Sequence, residues 1–325
     1  MTTSRGRRAL ARIATFLAIA TLGGLTLGEL GRWHWLADLA NHFRAQAALP
    51  AALALALAAL ARDRLALLLA LPAVFSVTLA LVPLYRADAP STGAPLRLFL
   101  ANVNRTTGDP AAVAAQISAS EADVIGLVEV DDRWLDALAP ALSPWPHRLT
   151  QTREDNFGLA LYSRLPLRDT RAILSLPTPA LRATVDVAGA PVGLLLVHPP
   201  PPVSGAIAAE RDASLRGFVE ARAALPARAI LLGDLNATPW SVPFRRLLVD
   251  GPFREGRDAT GAGPVGTWPA QLPGFLRIPI DHILTSGPLA VETFQAGAPN
   301  GSDHLPVRAT VVVQPVAPGV DGRVR

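Results

Sequence analysis

The chain has 325 residues, of which 50% are hydrophobic, and a mean hydropathy of +0.31. It contains no cysteine, which excludes disulfides, thiol nucleophiles and thiolate-bound zinc. All 30 basic residues are arginine. Eight arginines and three acidic residues precede residue 86, a net charge of +5, whereas the remainder carries −1. A nearly neutral main domain gives no general electrostatic argument for tight binding of nucleic acid.

The first 86 residues predict a membrane anchor. Apolar stretches at residues 9–30, 45–61 and 65–84 suit helices that cross a hydrocarbon core of ~30 Å, although the second stretch is short. The alternative for the first stretch is a cleaved signal peptide, since arginines precede it. Because two more apolar stretches follow, we expect about three transmembrane helices over residues 1–86.

Arginines also predict how the anchor is oriented. They precede the first stretch and flank Asp63 between the second and third, and the positive-inside rule places both groups in the cytoplasm. The protein is then expected in a bacterial cytoplasmic membrane, multi-pass, with its catalytic domain on the extracytoplasmic side. Residues 33–43 have apolar side chains at helical spacing, which predicts either a short helix in the outer interface, with Trp33 and Trp35 in the aromatic belt, or an ordinary loop.

An α/β domain is predicted after a linker at residues 87–95. It spans residues 96–315, and residues 316–325 are expected to form a flexible tail. Apolar runs predict strands at 96–103, 124–128, 157–163, 180–187, 192–197, 229–232, 280–284 and 307–313. Amphipathic runs predict helices at 110–120, 134–142, 206–225 and 242–249. The alternation predicts sheets inside and helices outside.

Acidic, amide and imidazole side chains lie at the ends of most predicted strands. They are Asn102, Asn104, Glu129, His198, Asp234, Asn236, Asp281, Asp303 and His304. Ends of adjacent strands converge on one rim of an α/β domain, so these residues are expected to form one site.

Seven segments occur in an order that resembles the endonuclease/exonuclease/phosphatase superfamily, which includes DNase I, apurinic endonucleases, inositol polyphosphate 5-phosphatases and neutral sphingomyelinases. The segments are ANVN (101–104), DVIGLVE (123–129), LYSRLPL (161–167), VHP (197–199), GDLNATP (233–239), IDHIL (280–284) and GSDHLPV (301–307). The resemblance covers residues 96–313. It implies a four-layer α/β sandwich, two packed mixed β-sheets flanked by helices, with a divalent-metal site.

The chemistry of the predicted site is that of phosphodiester hydrolysis, which needs a cation, a base for water and hydrogen-bond donors. Glu129, a hard carboxylate at a strand end, is the best candidate ligand for Mg²⁺ or Mn²⁺, and Asp303 is expected to share that role. Many relatives carry Asp where this chain has Asn104. The charge is missing there, but an amide oxygen can still coordinate a hard cation.

His304 is the imidazole expected at the centre of the site, as an acid, a base or a donor to the phosphate, with Asp281 orienting it. Trp268 is expected near the rim, either stacked on a ligand or packed within its loop. No catalytic role is assigned to the remaining histidines, His34, His42, His147 and His282.

The resemblance implies roles for four further residues. Asp234 would align or deprotonate the attacking water, and Asn102 would hold Asp234 in place. Asn236 and His198 would donate hydrogen bonds to the phosphoryl oxygens.

The sequence therefore predicts an enzyme, a metal-dependent phosphodiester hydrolase of nuclease or phosphodiesterase type that is tethered to a membrane. Its substrate would be a nucleic acid or a phospholipid head group. Two alternatives remain: a phosphodiesterase or phosphatase of phospholipids or other phosphorylated head groups, and a non-catalytic binding module on the same fold. A non-catalytic module would be expected to have lost the polar residues of the rim, whereas only Asn104 departs from the family pattern. No protein partner is indicated.

Overall fold

In a computed structural model of the chain, which describes residues 4–315, an N-terminal helical segment precedes an α/β domain. The tail predicted at residues 316–325 lies outside the described residues. The helical segment contains α1 (Ser4–Glu29), α2 (Trp35–Asp38), α3 (Ala48–Ala61) and α4 (Arg64–Leu81). By length and composition, Ser4–Arg32 and Arg64–Tyr85 suffice to cross a membrane. A third span exists only if Trp35–Phe43 and Ala48–Ala61, bent by 67°, count as one.

Alanines pack the helices of this segment against one another. Three successive layers between α1, α3 and α4 consist of Ala14, Ala58 and Ala66, then Ala18, Ala54 and Ala70, then Ala51, Ala73 and Val77. Large apolar side chains, including Phe16, Leu68 and Phe75, are exposed on the outside. Small residues inside and large apolar residues outside are typical of helices in lipid, where close backbone approach drives association.

Residues 33–43 pack on the α/β domain. They form α2 and a 3₁₀ helix, Leu39–Phe43. The Asp38 carboxylate accepts hydrogen bonds from Ser241 Oγ at 2.6 Å and from Val242 N at 2.7 Å, and lies 3.6 Å from the Arg211 guanidinium. Asp38 and Arg211 are both 1% exposed. Buried polar contacts thus fasten the connection between α1 and α3 to the domain.

Replacing Asp38 with alanine should destabilise the protein. The substitution leaves the buried guanidinium of Arg211 without one of its two carboxylate partners and removes the acceptor for Val242 N. Breaking a buried ion pair costs about 3 kcal/mol, so we expect the melting temperature in detergent micelles to fall by about 5 °C or more. Asp136→Ala, at an exposed position, is the matched control. An unchanged melting temperature for Asp38→Ala would mean that this attachment is marginal.

The α/β domain contains two six-stranded mixed sheets. The strands of the first are β1 (Ala94–Asn102), β2 (Val124–Val128), β3 (His147–Gln151), β4 (Leu159–Ser163), β11 (Leu289–Ala296) and β12 (Val307–Val313). Those of the second are β5 (Arg168–Ile173), β6 (Ala180–Val187), β7 (Ala190–Val197), β8 (Ala229–Asp234), β9 (Arg254–Glu255) and β10 (Asp281–Ser286). The strand orders are β11-β12-β1-β2-β4-β3 and β5-β6-β7-β8-β10-β9.

Helices cover the outer faces of both sheets. Leucines of the two inner faces, among them Leu98, Leu100, Leu196 and Leu232, form the central core. The first sheet is covered by α5 (Pro110–Ala119) and α6 (Asp132–Leu142), the second by α7 (Gly205–Ala223) and α8 (Val242–Asp250), and a short α9 (Gly256–Ala259) follows β9. The predicted four-layer sandwich is confirmed.

All eight predicted strands form, and the four that were not predicted, β3, β5, β9 and β11, are the edge strands of the two sheets. Edge strands expose one side to water and tolerate charges, as in Arg168–Ile173, where the first four residues are exposed. They therefore lack the continuous apolar run that identifies a buried strand.

Asp258 on α9 should make stability depend on pH. Burial, reinforced by the Glu255 carboxylate, raises the pKa of Asp258 to about 7. This pKa exceeds the value of about 4 in the unfolded chain. The protonated carboxyl therefore contributes its full stability below about pH 4, and this contribution is lost as the pH rises through 7. Asp258→Asn is expected to be more stable than the unmodified protein by on the order of 3 kcal/mol at about pH 8, and by little near pH 4.

Thermal melts at both pH values, followed by tryptophan fluorescence, measure this difference. Asp136→Asn, an exposed carboxyl on α6, is the control and should show no such pH-dependent gain. Equal melting curves for Asp258→Asn and the unmodified protein at about pH 8 would contradict the expectation.

Candidate active site

The topology explains why the polar residues predicted from strand ends meet. Asn102 ends β1 and Asp234 ends β8, while Asp281 begins β10, which runs antiparallel to β8 and places Asp281 opposite Asp234. Similarly, β12 runs antiparallel to β1, with Val307 opposite Leu100, so the residues just before β12 lie beside the end of β1. The structure brings all nine predicted site residues to this rim through direct contacts.

Asn102 joins the two sheets at the rim. Its Nδ2 donates to Glu129 Oε1 at 2.8 Å and to Asp234 Oδ2 at 3.1 Å. Glu129 follows β2 of the first sheet, whereas Asp234 belongs to the second, so one amide holds carboxylates from both sheets in place. Its Oδ1 accepts from the backbone N of Asn104 at 3.0 Å, which fixes the orientation of the amide.

Two imidazoles flank Asp234. The Nε2 atoms of His198 and His304 each lie 3.5 Å from Asp234 Oδ2, and His304 Nδ1 lies 2.9 Å from Asp281 Oδ2. His198 Nδ1 donates to the Asn156 carbonyl at 2.9 Å, which directs its Nε2 toward the pocket. Carboxylates therefore face both ring nitrogens of His304, an arrangement that favours the protonated imidazolium.

The pKa values of the central pair follow from these contacts. Burial alone would lower the pKa of His304, but Asp281 and Asp234 outweigh it and raise the pKa to about 10. Burial alone would raise the pKa of Asp234, but His304 and His198 outweigh it and lower the pKa to about 2. Both groups are thus charged at neutral pH.

Three of the site residues have left-handed backbones, Asn104 (φ 44°), Glu129 (φ 61°) and Asn236 (φ 49°). This conformation costs about 1 kcal/mol or more for a residue with a side chain, and such strain clusters at functional sites. At Asn236 the turn allows the backbone N to donate to Asp234 Oδ1 at 2.9 Å, while Nδ2 donates to the Pro199 carbonyl at 3.0 Å.

Asp303 is held from two sides. Asn104 Nδ2 donates to its Oδ1 at 2.7 Å, and Trp268 Nε1 donates to its Oδ2 at 2.9 Å. The Asn104 side-chain oxygen accepts from the backbone N of Thr106 and of Thr107, each at 3.2 Å. Asn104 thus turns its amide nitrogen, not its oxygen, toward Asp303. Metal binding by Asn104 and by Asp303 stays a prediction.

The rim surrounds a pocket of about 760 Å³. Carboxylates that line it include Glu129, Asp234 and Asp303, and none of its lining residues within 4–315 is an arginine. The pKa of Glu129 is raised, mainly because the side chain is buried. A phosphate anion would meet net negative charge here unless a cation were bound, and the carboxylate oxygens are the donors that hard divalent cations prefer. The donor chemistry therefore fits a divalent metal ion, and the ligand atoms of Asp234, Asp281 and His304 lie within 4.8 Å of one another.

Among the residues near the site that received no role from the sequence are Leu39, His42, Phe43 and His282. Leu39, His42 and Phe43, from the connection between α1 and α3, line the pocket. His282 is fully buried beneath the rim, where Nε2 donates to the Ala237 carbonyl at 2.8 Å and Nδ1 contacts the Glu255 carboxylate. The only sequence signal for the supporting role of His282 was its position next to Asp281. Leu39, His42 and Phe43 gave no sequence signal that they line the pocket.

A sequence model of the Endonuclease/Exonuclease/phosphatase family matches residues 99–304. Among curated proteins, none matches the chain.

Solved structures share the fold of the α/β domain. A crystal structure described as endonuclease/exonuclease/phosphatase from Beutenbergia cavernae is 21% identical with a TM-score of 0.57, over 69% of this chain and 73% of that one. Truncated TDP2 from Caenorhabditis elegans is 20% identical with a TM-score of 0.55, over 67% and 98%. TDP2 from D. rerio, complexed with a single-strand DNA product, is 16% identical with a TM-score of 0.55, over 67% and 98%. At these identities the likeness concerns the fold alone.

Proposed function

Since this chain belongs to the endonuclease/exonuclease/phosphatase family and is a hydrolase of phosphoric ester bonds, we propose that it cleaves phosphodiesters with the help of Mg²⁺ or Mn²⁺. The observation that carries the proposal is the pocket in which Glu129, Asp234 and Asp303 meet His198 and His304 without an arginine. The carboxylates outnumber the imidazoles in this site and would oppose the binding of an anionic phosphodiester, whereas a divalent cation reverses the local charge.

Glu129 would hold the cation together with Asp303, as predicted from the sequence, and Asn104 is the third candidate ligand. When bound, the cation would offset the negative charge that grows on the phosphoryl and leaving oxygens. Asn102, which donates to Glu129, would keep that carboxylate directed at the pocket.

Asp234 would orient the attacking water. Asn102 Nδ2 and the backbone N of Asn236 fix its carboxylate, and the two neighbouring imidazoles keep it ionised and able to accept a hydrogen bond from water. His304, held by Asp281, would donate from Nε2 to a phosphoryl oxygen. His198 and Asn236 would donate to the same group.

We propose that the helical segment, residues 1–86, anchors the catalytic domain of residues 96–315 to the membrane. The connection between α1 and α3 and the chain after α4 both contact this domain, at Ser241 and at Ala259 respectively. Both therefore lie on the same side of the anchor, and α3 leads from that side to the turn at Asp63, after which α4 begins. The proposed linker, residues 87–95, pairs with the domain and ends inside β1, which begins at Ala94. The arginines that flank Asp63 favour the extracytoplasmic side for the domain.

Hydrolysis of bis(p-nitrophenyl) phosphate by the full-length protein in detergent micelles tests the proposed function. Activity should disappear when EDTA removes divalent cations and return with Mg²⁺ or Mn²⁺, because the carboxylate-rich pocket repels the substrate otherwise. Activity that persists in EDTA would overturn the role of the cation, and no hydrolysis under any of these conditions would overturn phosphodiester cleavage.

A further inference from the structure

One wall of the pocket comes from the helical segment. Leu39, His42 and Phe43 line the pocket, and Phe43 is 57% exposed. These residues belong to the connection between α1 and α3, which the buried contacts of Asp38 hold on the domain. The entrance of the catalytic pocket is therefore continuous with helices proposed to lie in the bilayer.

Other residues that line the pocket are also apolar. They include Phe157, Pro202, Val203, Ile278 and Ile280, and Val203 is 68% exposed. Apolar side chains thus share the pocket with its carboxylates and imidazoles.

A second exposed apolar segment contacts the residue Gln46, which lies just before α3. Gln46 Nε2, just before α3, donates to the Arg277 carbonyl at 2.9 Å. The residues just before Arg277 include Phe275, 68% exposed, and Leu276, 39% exposed. Exposed apolar side chains therefore lie on the domain close to the residues that lead into α3, as on proteins that insert side chains into the interface of a bilayer.

We infer that the substrate is a phosphodiester lipid that keeps its hydrocarbon part in the bilayer while its phosphate reaches Glu129 and Asp234. The inference rests on the phosphodiester hydrolysis proposed for the same site. A nucleic acid is the competing substrate, but strands of nucleic acid are bound through arginine and lysine contacts to successive phosphates, and the pocket within residues 4–315 is lined by neither.

The reaction on a lipid balances without an oxidant or a further reactant. The oxygen of water forms a bond to phosphorus, and one of the two P–O ester bonds breaks. The leaving oxygen takes up a proton and departs as an alcohol, and the remaining product is a phosphomonoester. One product therefore stays in the bilayer and the other is released into water.

The test uses the full-length protein reconstituted in phosphatidylcholine vesicles that contain phosphatidylglycerol and phosphatidylethanolamine, with Mg²⁺ present. Phosphorus NMR measures the conversion of lipid phosphodiester to phosphomonoester, and a single-stranded DNA oligonucleotide and bis(p-nitrophenyl) phosphate are assayed in parallel. We expect lipid to be cleaved faster than DNA. In Phe43→Ser and in Val203→Ser, the ratio of lipid cleavage to bis(p-nitrophenyl) phosphate cleavage should fall about tenfold.

Val249→Ser is the matched control, because Val249 on α8 is 78% exposed and lies outside the pocket. It should leave both rates unchanged. Cleavage of bis(p-nitrophenyl) phosphate and DNA without cleavage of lipid overturns the lipid substrate and leaves the hydrolase intact. Lipid cleavage with unchanged ratios in Phe43→Ser and Val203→Ser overturns the role of the apolar walls. Failure to cleave even bis(p-nitrophenyl) phosphate overturns the proposed function itself.

Discussion

Replacing Glu129 with glutamine is expected to lower kcat/KM for phosphodiester hydrolysis by about 10³-fold or more, because the substitution removes the carboxylate charge that would bind the cation. Glutamine has nearly the same shape, and its side-chain oxygen can still accept the hydrogen bond that Asn102 donates to Glu129. The concentration of Mg²⁺ needed for half-maximal activity should rise. Titration of bis(p-nitrophenyl) phosphate hydrolysis with Mg²⁺ measures both effects.

The melting temperature separates this effect from a loss of folding. Burial raises the pKa of Glu129, so its charge is unfavourable in the protein without a cation. Glu129→Gln should therefore melt no lower than the unmodified protein when no divalent cation is present. Glu210→Gln, at an exposed position on α7, is the matched control and should retain activity. A Glu129→Gln variant with an unchanged Mg²⁺ titration would show that the cation binds elsewhere.

Replacing His304 with glutamine is expected to lower kcat by about 10³-fold, the usual effect of removing a charged donor to a phosphoryl oxygen in a buried site. Asp281 and Asp234 face the two ring nitrogens of His304. The uncharged amide of glutamine would make weaker contacts with both carboxylates. The Mg²⁺ concentration for half-maximal activity should stay within about threefold, because His304 is not a proposed ligand.

His147→Gln is the control for this substitution, since His147 begins the edge strand β3 and lies outside the pocket. Steady-state kinetics of both variants give the comparison. If His304→Gln retained more than about a tenth of the activity, the imidazole would not stabilise the transition state as proposed.

The positions of the polar residues at the ends of the predicted strands were enough to predict that these residues meet in one site. Strand ends bear Asn102 and Asp234, and the antiparallel partners place Asp281 and His304 beside them, so local pattern and topology lead to the same rim. The buried strands were predicted for the same reason, because a strand covered on both faces has a continuous apolar run. The edge strands lack this signal, since water solvates one side of each.

Contacts between distant segments could not be predicted from local patterns. Asp38 is separated by more than two hundred residues from Ser241, and nothing in the apolar run around it indicates a buried partner. The interfacial helix predicted for residues 33–43 followed only from the spacing of apolar residues, which does not distinguish a membrane surface from a protein surface. The contribution of Phe43 to the pocket was missed for the same reason.

The position of a bound cation tests the central claim most directly. Crystals of the full-length protein grown with Mn²⁺ should give an anomalous difference peak about 2.2 Å from a carboxylate oxygen of Glu129, inside the pocket that Asp303 and His304 line. A peak at a different set of residues, or none at Glu129 in crystals of protein that is active with Mn²⁺, would contradict it.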